Sequence, residues 1–394
     1  MARLIVLRLA LRQKSCSPDT SSYCEARGRL PEELFQRLVW QTGSRLHNQC
    51  PEDWLWKGRP VKVVDGTTLT MPDTLENQKA YPQSTTQKFG LGFPIARLVV
   101  LLSLGSGAAL DLAIGPYKGK ETGESALLRS ILDRSVSAGD VLVADRCYSS
   151  YYDVVALIRD RGADIVVRRH QRRVTDFRRG RRLGKNDHLI IWDKPKRRPE
   201  WMDEKIFENF PDQLILREVK VQIRGKGMRV KCIVIVTTLL DGEKFTKDDI
   251  AELYHARWRV ELDLRSLKIA MQMEPMRCKR PEIVRKEIWA YLLAYNMIRA
   301  IMAQAAYHHD IEPRQISFKG TMQTINAFRG YHGTDLPDLP GWHDALLEAV
   351  AYHHIADRPN RIEPRAIKRR PKQHRLLTEP IDDARKRLCN STYA

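Results

Sequence analysis

The chain has 394 residues, enough for one large buried core or two smaller ones, and its 67 Lys and Arg against 48 Asp and Glu leave a formal net charge of +19. That surplus favours polyanionic partners, because Lys and Arg displace the counterions condensed on nucleic-acid backbones. There is no run of about 20 apolar residues, and the opening MARLIVLRLALRQ is interrupted by Arg3, Arg8 and Arg12, so a spanning helix is excluded, no signal peptide is predicted, and a soluble cytoplasmic protein is expected.

The first 58 residues hold one convincing helix, PEELFQRLVWQTGSRLH at 31–47. VKVVD at 61–65 reads as a short β-branched strand ending at Asp65, with Gly66 permitting a sharp turn before a second extended run. IARLVVLLS (95–103) and ALDLAI (109–114) follow as strands joined by a tight Gly-Ser-Gly turn, an antiparallel arrangement. Residues 121–137 predict a helix with Thr122 as N-cap and Gly139 as stop. Val141, Leu142, Val143 and Ala144 read as a buried strand that delivers Asp145 at its end, followed by a helix over 149–161 and a strand over 164–169. The order β-β-β-α-β-α-β predicts an α/β fold, a mixed sheet flanked by crossover helices.

A strongly basic stretch, RRHQRRVTDFRRGRRLGKND, then leads through IIWDKPKRRPEW into two β-rich runs, LILREVKVQIRG and MRVKCIVIVTT, which predict an inserted β subdomain over 170–245. Its cluster of Arg168, Arg169, Arg172, Arg173, Arg178, Arg179, Arg181 and Arg182 offers phosphate contacts, or else is a solvated loop; Trp192 or Trp201 could stack on an extruded base, or simply pack. A long helix over about 248–273 is marked by Thr246 and the acidic first turn Asp248, Asp249. Residues 358–376 contain eight Lys or Arg and three Pro, which predicts an extended basic tail, either touching DNA backbone or without a fixed partner. The seven cysteines, at 16, 24, 50, 147, 232, 278 and 389, are scattered and lack C-x2-C pairing, so free thiols are expected rather than disulfides or a zinc finger. The His308-His309 and His353-His354 doublets lack zinc-ligand spacing and are expected to be structural or at the surface.

The chemistry concentrates in YHARWRVELDLRSLK. At about 100° per residue, Tyr254, Arg257, Glu261, Arg265 and Lys268 share one stripe of the long helix, while Leu253, Val260, Leu264 and Leu267 gather on another. A carboxylate framed by two cations and a phenol can be an exposed amphipathic face with Glu261 salt-bridged to Arg257 and Arg265. It can equally be part of a phosphodiester site, if further acids converge on it. Metal-assisted phosphoryl transfer needs about three carboxylates from different elements, and Asp65 and Asp145 supply the other two, although each alone could be a turn-forming Asp after a strand.

This order of strands, with an Asp on the first, an Asp ending the fourth and a Glu on the helix after the fifth, resembles the ribonuclease H-like fold of DDE transposases. The string Tyr254, Arg257, Glu261, Lys268 resembles the YREK signature of the insertion sequence 4 family. Asp65-Gly66-Thr67 is similar to the family's D-G-[ST], and Asp145-Arg146-Cys147-Tyr148 to its D-R-[GA]-[YF], with Cys147 replacing the usual small residue. SSYCEARGRLPEELFQRL, WAYLLAYNMIRAIMAQAA and RIEPRAIKRRPKQHRLL are also like family segments, so the resemblance covers most of the chain.

The resemblance implies a helical N-terminal region over 1–58, a late-starting or reduced form of a part that recognises terminal inverted repeats. It implies a catalytic core over 59–169 and 246–310, interrupted at 170–245 by the insertion that helps hold the DNA end, and a C-terminal region over 311–394 with the basic tail. Asp65, Asp145 and Glu261 would bind two divalent ions, Mg²⁺ with Mn²⁺ as a substitute. Water attacks first to free a 3′-OH at the transposon end; in cut-and-paste members that 3′-OH attacks the opposite strand, and the resulting hairpin is reopened before transfer into target DNA. Tyr254, Arg257 and Lys268 would grip phosphates, with Arg146, Arg265, Arg172, Arg173, Arg178 and Arg179 as further DNA contacts. The partners implied are double-stranded DNA, both inverted repeats and target, and a second copy of the chain in a homodimer on DNA. Two other readings stay open: a ribonuclease H-like nuclease that cuts without joining, and a catalytically silent transposase-derived DNA-binding protein.

Overall fold

The structure, a computed structural model, describes residues 21–222, 232–331, 341–355 and 376–391. The Arg-interrupted opening and all but the last residue of the expected basic tail lie outside these.

Two helices, α1 (Ser21–Arg29) and α2 (Glu32–Asn48), precede β1 (Val61–Thr70) and the short α3 (Leu75–Ala80). There follow β2 (Ile95–Ser103), β3 (Ala109–Pro116), α4 (Glu124–Ser135), β4 (Val141–Ala144), α5 (Tyr151–Arg161) and β5 (Asp164–Arg168). The basic region contributes β6 (Arg181–Gly184), β7 (Asp187–Asp193), α6 (Glu204–Glu208), β8 (Gln213–Gln222) and β9 (Cys232–Thr237). The remainder is helical: α7 (Lys247–Ala256), α8 (Trp258–Arg265), a π-helical turn (Ser266–Ala270), α9 (Pro281–His308), α10 (Phe318–Tyr331), α11 (Trp342–Ala351) and α12 (Ile381–Ser391).

All nine strands form one sheet, in the order β3-β2-β1-β4-β5-β9-β8-β7-β6. β1 pairs antiparallel with β2 and β2 with β3, whereas β1, β4 and β5 run parallel through the crossovers α4 and α5. The expected α/β architecture and strand series are therefore present. The inserted β region differs from expectation, because it does not stand apart as a subdomain. β9 pairs antiparallel with β5, at Val166 with Thr237, and β8, β7 and β6 extend the same sheet outward. A strand that ends a parallel run exposes unpaired backbone groups, and the returning chain satisfies them.

Alternating side chains give the sheet two apolar faces. On one face Val61, Val63, Val100 and Val143 pack with Val39 of α2, Leu253 of α7, Val260 and Leu264 of α8, and Val284, Ile288 and Leu292 of α9. On the other, Val64, Val99, Leu142 and Ile165 pack with Leu128 and Ile131 of α4, Val154 and Leu157 of α5, and Trp192, Phe210 and Leu216 of the insertion. The edge strand β3 is covered rather than open: Asn296 of α9 pairs with the backbone of Ala109 as both acceptor and donor, each at 2.8 Å. Gly43 of α2 is required there, because a Cβ would collide with the Ala109 carbonyl.

The helix expected with Thr122 as N-cap starts later: Gly123 is the N-cap residue, and the Thr122 hydroxyl instead donates to the Gly119 carbonyl at 3.0 Å. The predicted start at Thr246 is present as a reciprocal capping box with Asp249. The described cysteines are free thiols. His353 bonds Thr324 at 2.7 Å, a structural use of one histidine doublet. Among the described residues no helix is long and apolar enough to cross a membrane.

Candidate active site

Sheet register sets two of the predicted acids side by side. Val63 of β1 stands beside Val143 of the parallel β4. Two residues further along each chain come Asp65 and Asp145, on the face covered by α7 and α8. Asp145 follows the last residue of β4 and opens a single 3₁₀ turn, Arg146–Tyr148. Asp65 is placed differently from expectation, since β1 does not end there but continues through Gly66 to Thr70, paired all the way with β2. No turn occurs at Gly66. The glycine instead leaves space on the opposite face: a Cβ on it would overlap the carboxyl group of Glu124, the first residue of α4, and displace that side chain.

The third acid comes from a helix that is not the single piece expected over 248–273. At Arg257 the backbone tightens into i→i−3 bonds, Arg257 N–H to Tyr254 O at 3.2 Å and Val260 N–H to Arg257 O at 3.0 Å. After Arg265 it widens into the π turn, closed by Met271 N–H to Ser266 O at 3.0 Å. Such insertions rotate the side chains that follow them, and they recur at functional sites. The predicted apolar stripe holds: Leu253, Val260, Leu264 and Leu267 are all buried. Tyr254 is buried with them instead of lying on the open face, while Trp258, Leu262 and Ile269 are exposed.

Arg257 links the two sides. Its Nη2 meets Glu261 Oε1 at 3.2 Å and its Nη1 meets Asp65 Oδ2 at 3.6 Å. The predicted pair between Glu261 and Arg257 is thus real, and it also engages the strand acid. The Glu261–Arg265 pair does not form among the described residues, and Arg265 is exposed on the cleft wall. Lys268 is tied down by the rotation that the π turn gives it. It donates to Thr68 O at 2.9 Å and Thr67 Oγ1 at 3.3 Å on β1, and pairs with Glu274 at 2.7 Å. Asp65, Gly66, Glu261, Arg265, Lys268 and Glu274 line an open cleft of roughly 660 Å³.

Burial dominates the electrostatics. Desolvation lifts the Asp65 carboxyl to about 6; Arg257 and the Gly66 N–H oppose the rise, and the nearby Glu261 and Glu124 reinforce it. The Tyr254 phenol is pushed up to about 12 by burial, with Arg257 opposing and Asp145 adding to the shift. Burial alone would lower Arg257, but Tyr254, Asp65, Asp145 and Glu261 hold it above the usual range. The Tyr148 phenol is raised by burial and by the negative charges of Glu124, Asp65 and Asp145.

Asp65, Asp145 and Glu261 offer only hard carboxylate oxygens, the donor type that suits Mg²⁺ or Mn²⁺. Among the described residues no three Asp, Glu, His or Cys groups stand close enough to hold an ion as they are. The cation between Asp65 and Glu261 is the Arg257 guanidinium. The donor set therefore fits a divalent ion in kind, with Arg257 standing in for its charge.

The helix carrying Glu261 is fastened from behind. Asp263 is buried and binds Arg299 of α9 and, at 2.6 Å, Arg314. Arg314 also donates to Leu104 O and Ser103 O at 2.8 and 3.0 Å, which locks the helix to the sheet.

The basic residues of the insertion are only partly as expected. Arg172, Arg178 and Arg179 are exposed, but Arg178 and Arg179 gather around Asp176, at 2.9 and 3.7 Å. Arg173 is stacked on Trp192, with its guanidinium carbon 3.6 Å from the ring centroid. Trp192 is consequently buried, so its expected role as a base-stacking surface is not available in this arrangement. Trp201 lies under Arg129, 3.8 Å from its guanidinium carbon, with Tyr152 at its edge. Arg146 bonds Gln171 at 3.1 Å near the start of the insertion. Arg169 has two buried guanidinium nitrogens without a hydrogen-bond partner among the described residues.

Glu124 is not singled out by the sequence, and Tyr148 enters there only as the last residue of a motif, without a role of its own. The available signal was the glycine beside Asp65, which was read as a turn former and is in fact the space that Glu124 fills.

Clustered oxygen donors, flanking guanidinium and ammonium groups and an open cleft are the equipment of an enzyme that handles phosphodiesters. Comparison with known proteins gives the particular family. Residues 56–297 match the Transposase DDE domain, and the chain belongs to that family. It is 27% identical over 370 residues to the transposase InsG of insertion sequence element IS4 from Escherichia coli K12, covering 89% of this chain and 77% of that protein. It is 25% identical over 210 residues to the putative transposase InsL of element IS186A from the same organism, covering 46% and 56%. Among solved structures, the piggyBac transposase synaptic complex with hairpin DNA is similar with a TM-score of 0.42 at 10% identity, covering 74% of this chain and 57% of that one. The chain is a DDE transposase of the insertion sequence 4 type, and the resemblance read from its motifs is borne out.

Proposed function

We propose that this transposase binds the terminal inverted repeats of an insertion sequence and uses Asp65, Asp145 and Glu261 as its catalytic acids, on a ribonuclease H-like core. The observation that carries this reading is the convergence of the site: two acids level with each other on parallel neighbours, and a third on a crossing helix that is ion-paired to the first through Arg257. The strand order β3-β2-β1-β4-β5 supports the assignment of the core.

These acids would hold two divalent ions, Mg²⁺ or Mn²⁺. Bound there, the ions supply Lewis-acid charge that makes the attacking oxygen more nucleophilic and stabilises the leaving one. In the first reaction water adds to the phosphorus at the element's end and the 3′ oxygen leaves as a hydroxyl; in the second, that 3′-OH adds to a target phosphorus and a target 3′ oxygen leaves.

The chain's own groups position these events. Arg257 exchanges its carboxylate partners for a phosphate, which it can grip with a two-pronged fork. Lys268, held at β1 by Thr68 and Glu274, brings charge beside the cleft rather than a free reaching arm. Arg265 lies on the cleft wall, while Arg146, Arg172, Arg173, Arg178 and Arg179 extend the cationic surface toward DNA flanking the cut. Two ends brought together require a homodimer on DNA. The domain roles follow: 1–58 a DNA-recognising part, 59–169 and 246–310 the core, 170–245 a DNA-end clamp, and 311–394 the C-terminal support.

The test is incubation of the purified protein with the inverted-repeat DNA flanking its coding region, in Mg²⁺ or in EDTA, beside Glu261→Ala. Metal-dependent nicks at the repeat boundary followed by joined products, all lost in the variant, are expected. Cleavage without joining would make the protein a nuclease, and binding without cleavage a silent DNA-binding protein.

A further inference from the structure

Glu124 enters the site from the opposite layer to the three acids already described. It is the first residue of α4, which packs on the other face of the sheet. One contact locates its carboxylate, and two more hold the helix start that carries it. Gly66, adjacent to Asp65, has no Cβ where one would overlap that carboxylate. The neighbouring Ser125 hydroxyl donates to the Cys147 carbonyl at 2.8 Å, which ties the start of α4 to the turn that begins at Asp145. Arg97 donates to the Thr122 carbonyl at 2.6 Å and holds the approach to the helix. The acid is therefore wedged between the segments that carry Asp65 and Asp145.

A Glu in the first turn of a helix is ordinary, since it complements the helix dipole, but two observations here go beyond that. Among the described residues no cation pairs with Glu124 and no group donates a hydrogen bond to it, although it is only partly exposed. Nearby, the Tyr148 hydroxyl is buried, at 1% exposure for the residue, and has no hydrogen-bond partner among the described residues. An unpaired carboxylate in a group of carboxylates lacks a positive charge, and a buried hydroxyl within their electrostatic reach lacks a hydrogen-bond partner. A hydrated divalent cation would bring both.

We propose that Glu124 is a fourth carboxylate of the divalent-ion site, admitted through the gap left by Gly66, with the Tyr148 hydroxyl facing the ion's hydration. This rests on the reading of Asp65, Asp145 and Glu261 as the ion-binding acids.

The experiment measures Mn²⁺ binding to the full chain by electron paramagnetic resonance of the free ion, for the wild type, Glu124→Gln, Gly66→Ala and Asp65→Asn, with melting in EDTA as the folding control. Glu124→Gln keeps shape and removes charge; it should weaken Mn²⁺ binding by roughly tenfold or more and melt in EDTA no lower than the wild type. Gly66→Ala retains every acid but displaces Glu124, and should weaken binding in the same direction. Unchanged Mn²⁺ affinity in Glu124→Gln, with affinity lost in Asp65→Asn, overturns the role of Glu124 and leaves the three-acid reading standing. Unchanged affinity in Asp65→Asn overturns that reading, and this proposal falls with it.

Discussion

The two halves of the sheet are held by different physics. In β3-β2-β1-β4-β5 the strands are buried aliphatics on both faces, with Val64, Val99, Leu101, Val143 and Ile165 at 0% exposure. In β9-β8-β7-β6 burial thins outward: β6 has no buried residue, and Ile191 and Ile215 are 57% and 53% exposed. What the inserted half adds to its apolar contacts is buried charge. Arg217, at 0% exposure, forks onto Asp187 at 2.8 and 2.6 Å and reaches the Phe245 carbonyl at 2.6 Å, while His188 lies 3.3 Å from Glu218. Aliphatic packing degrades by degrees, whereas a buried ion pair fails when either partner is removed. The core half should therefore lose chemistry without losing its fold, and the inserted half should lose its fold, or its grip on DNA, without losing the chemical groups.

The largest test of that contrast is at the acids. Asp65→Asn or Glu261→Gln is expected to lower inverted-repeat cleavage by roughly a thousandfold or more, while gel-shift affinity for the same DNA stays near wild type. Cleavage retained by either variant would take that acid out of the site. Next comes Arg217→Met, which leaves Asp187 charged and buried and should cost about 3–5 kcal/mol in urea unfolding. The double variant Arg217→Met with Asp187→Leu should recover most of the loss; a single-variant cost below about 1 kcal/mol would mean that charge does not pin the insertion. Replacing Arg172, Arg173, Arg178 and Arg179 by Ala should weaken end binding and flatten its salt dependence by about 0.9 in log–log slope per lost phosphate contact. Cleavage of bound DNA should proceed near the wild-type rate, and an unchanged slope would remove these residues from the DNA track.

The smallest effect is on pH dependence. The Asp65 carboxyl is raised from 3.8 to about 6 in the folded chain. Between those values the native state holds a proton that the unfolded chain has released, so the metal-free protein loses stability as pH rises through that window. Asp65→Asn is spared the loss and should be more stable above pH 6 by on the order of 2 kcal/mol, with the difference fading as pH falls below 4. Melting in EDTA across that range checks it, and a difference independent of pH would contradict a raised carboxyl.

What could be read from the sequence followed range. The strand series, the capping box at Thr246 and the buried stripe of Leu253, Val260, Leu264 and Leu267 are local patterns, and all are present. Asp65, Asp145 and Glu261 can be singled out from the sequence because their contexts are short motifs. The continuity of the sheet is not legible, since pairing of Val166 with Thr237 depends on partners far apart in the chain. Nor is the setting of Gly66, whose missing side chain leaves space that a residue on another layer occupies. The tethering of Lys268 to β1 is not legible either, because a regular helical pattern does not show the different winding of Ser266–Ala270.

The fastening behind Glu261 has a consequence for biosynthesis. Arg299 and Arg314, the partners of Asp263, lie 36 and 51 positions after it. On the ribosome, the sheet and Glu261 emerge before either arginine, so the pairing of Asp263 is completed only once Arg314 has been made. A product truncated by a premature stop or a frameshift before Arg314 keeps Glu261 but lacks one of the two cations on Asp263, together with its tie to the Leu104 and Ser103 carbonyls.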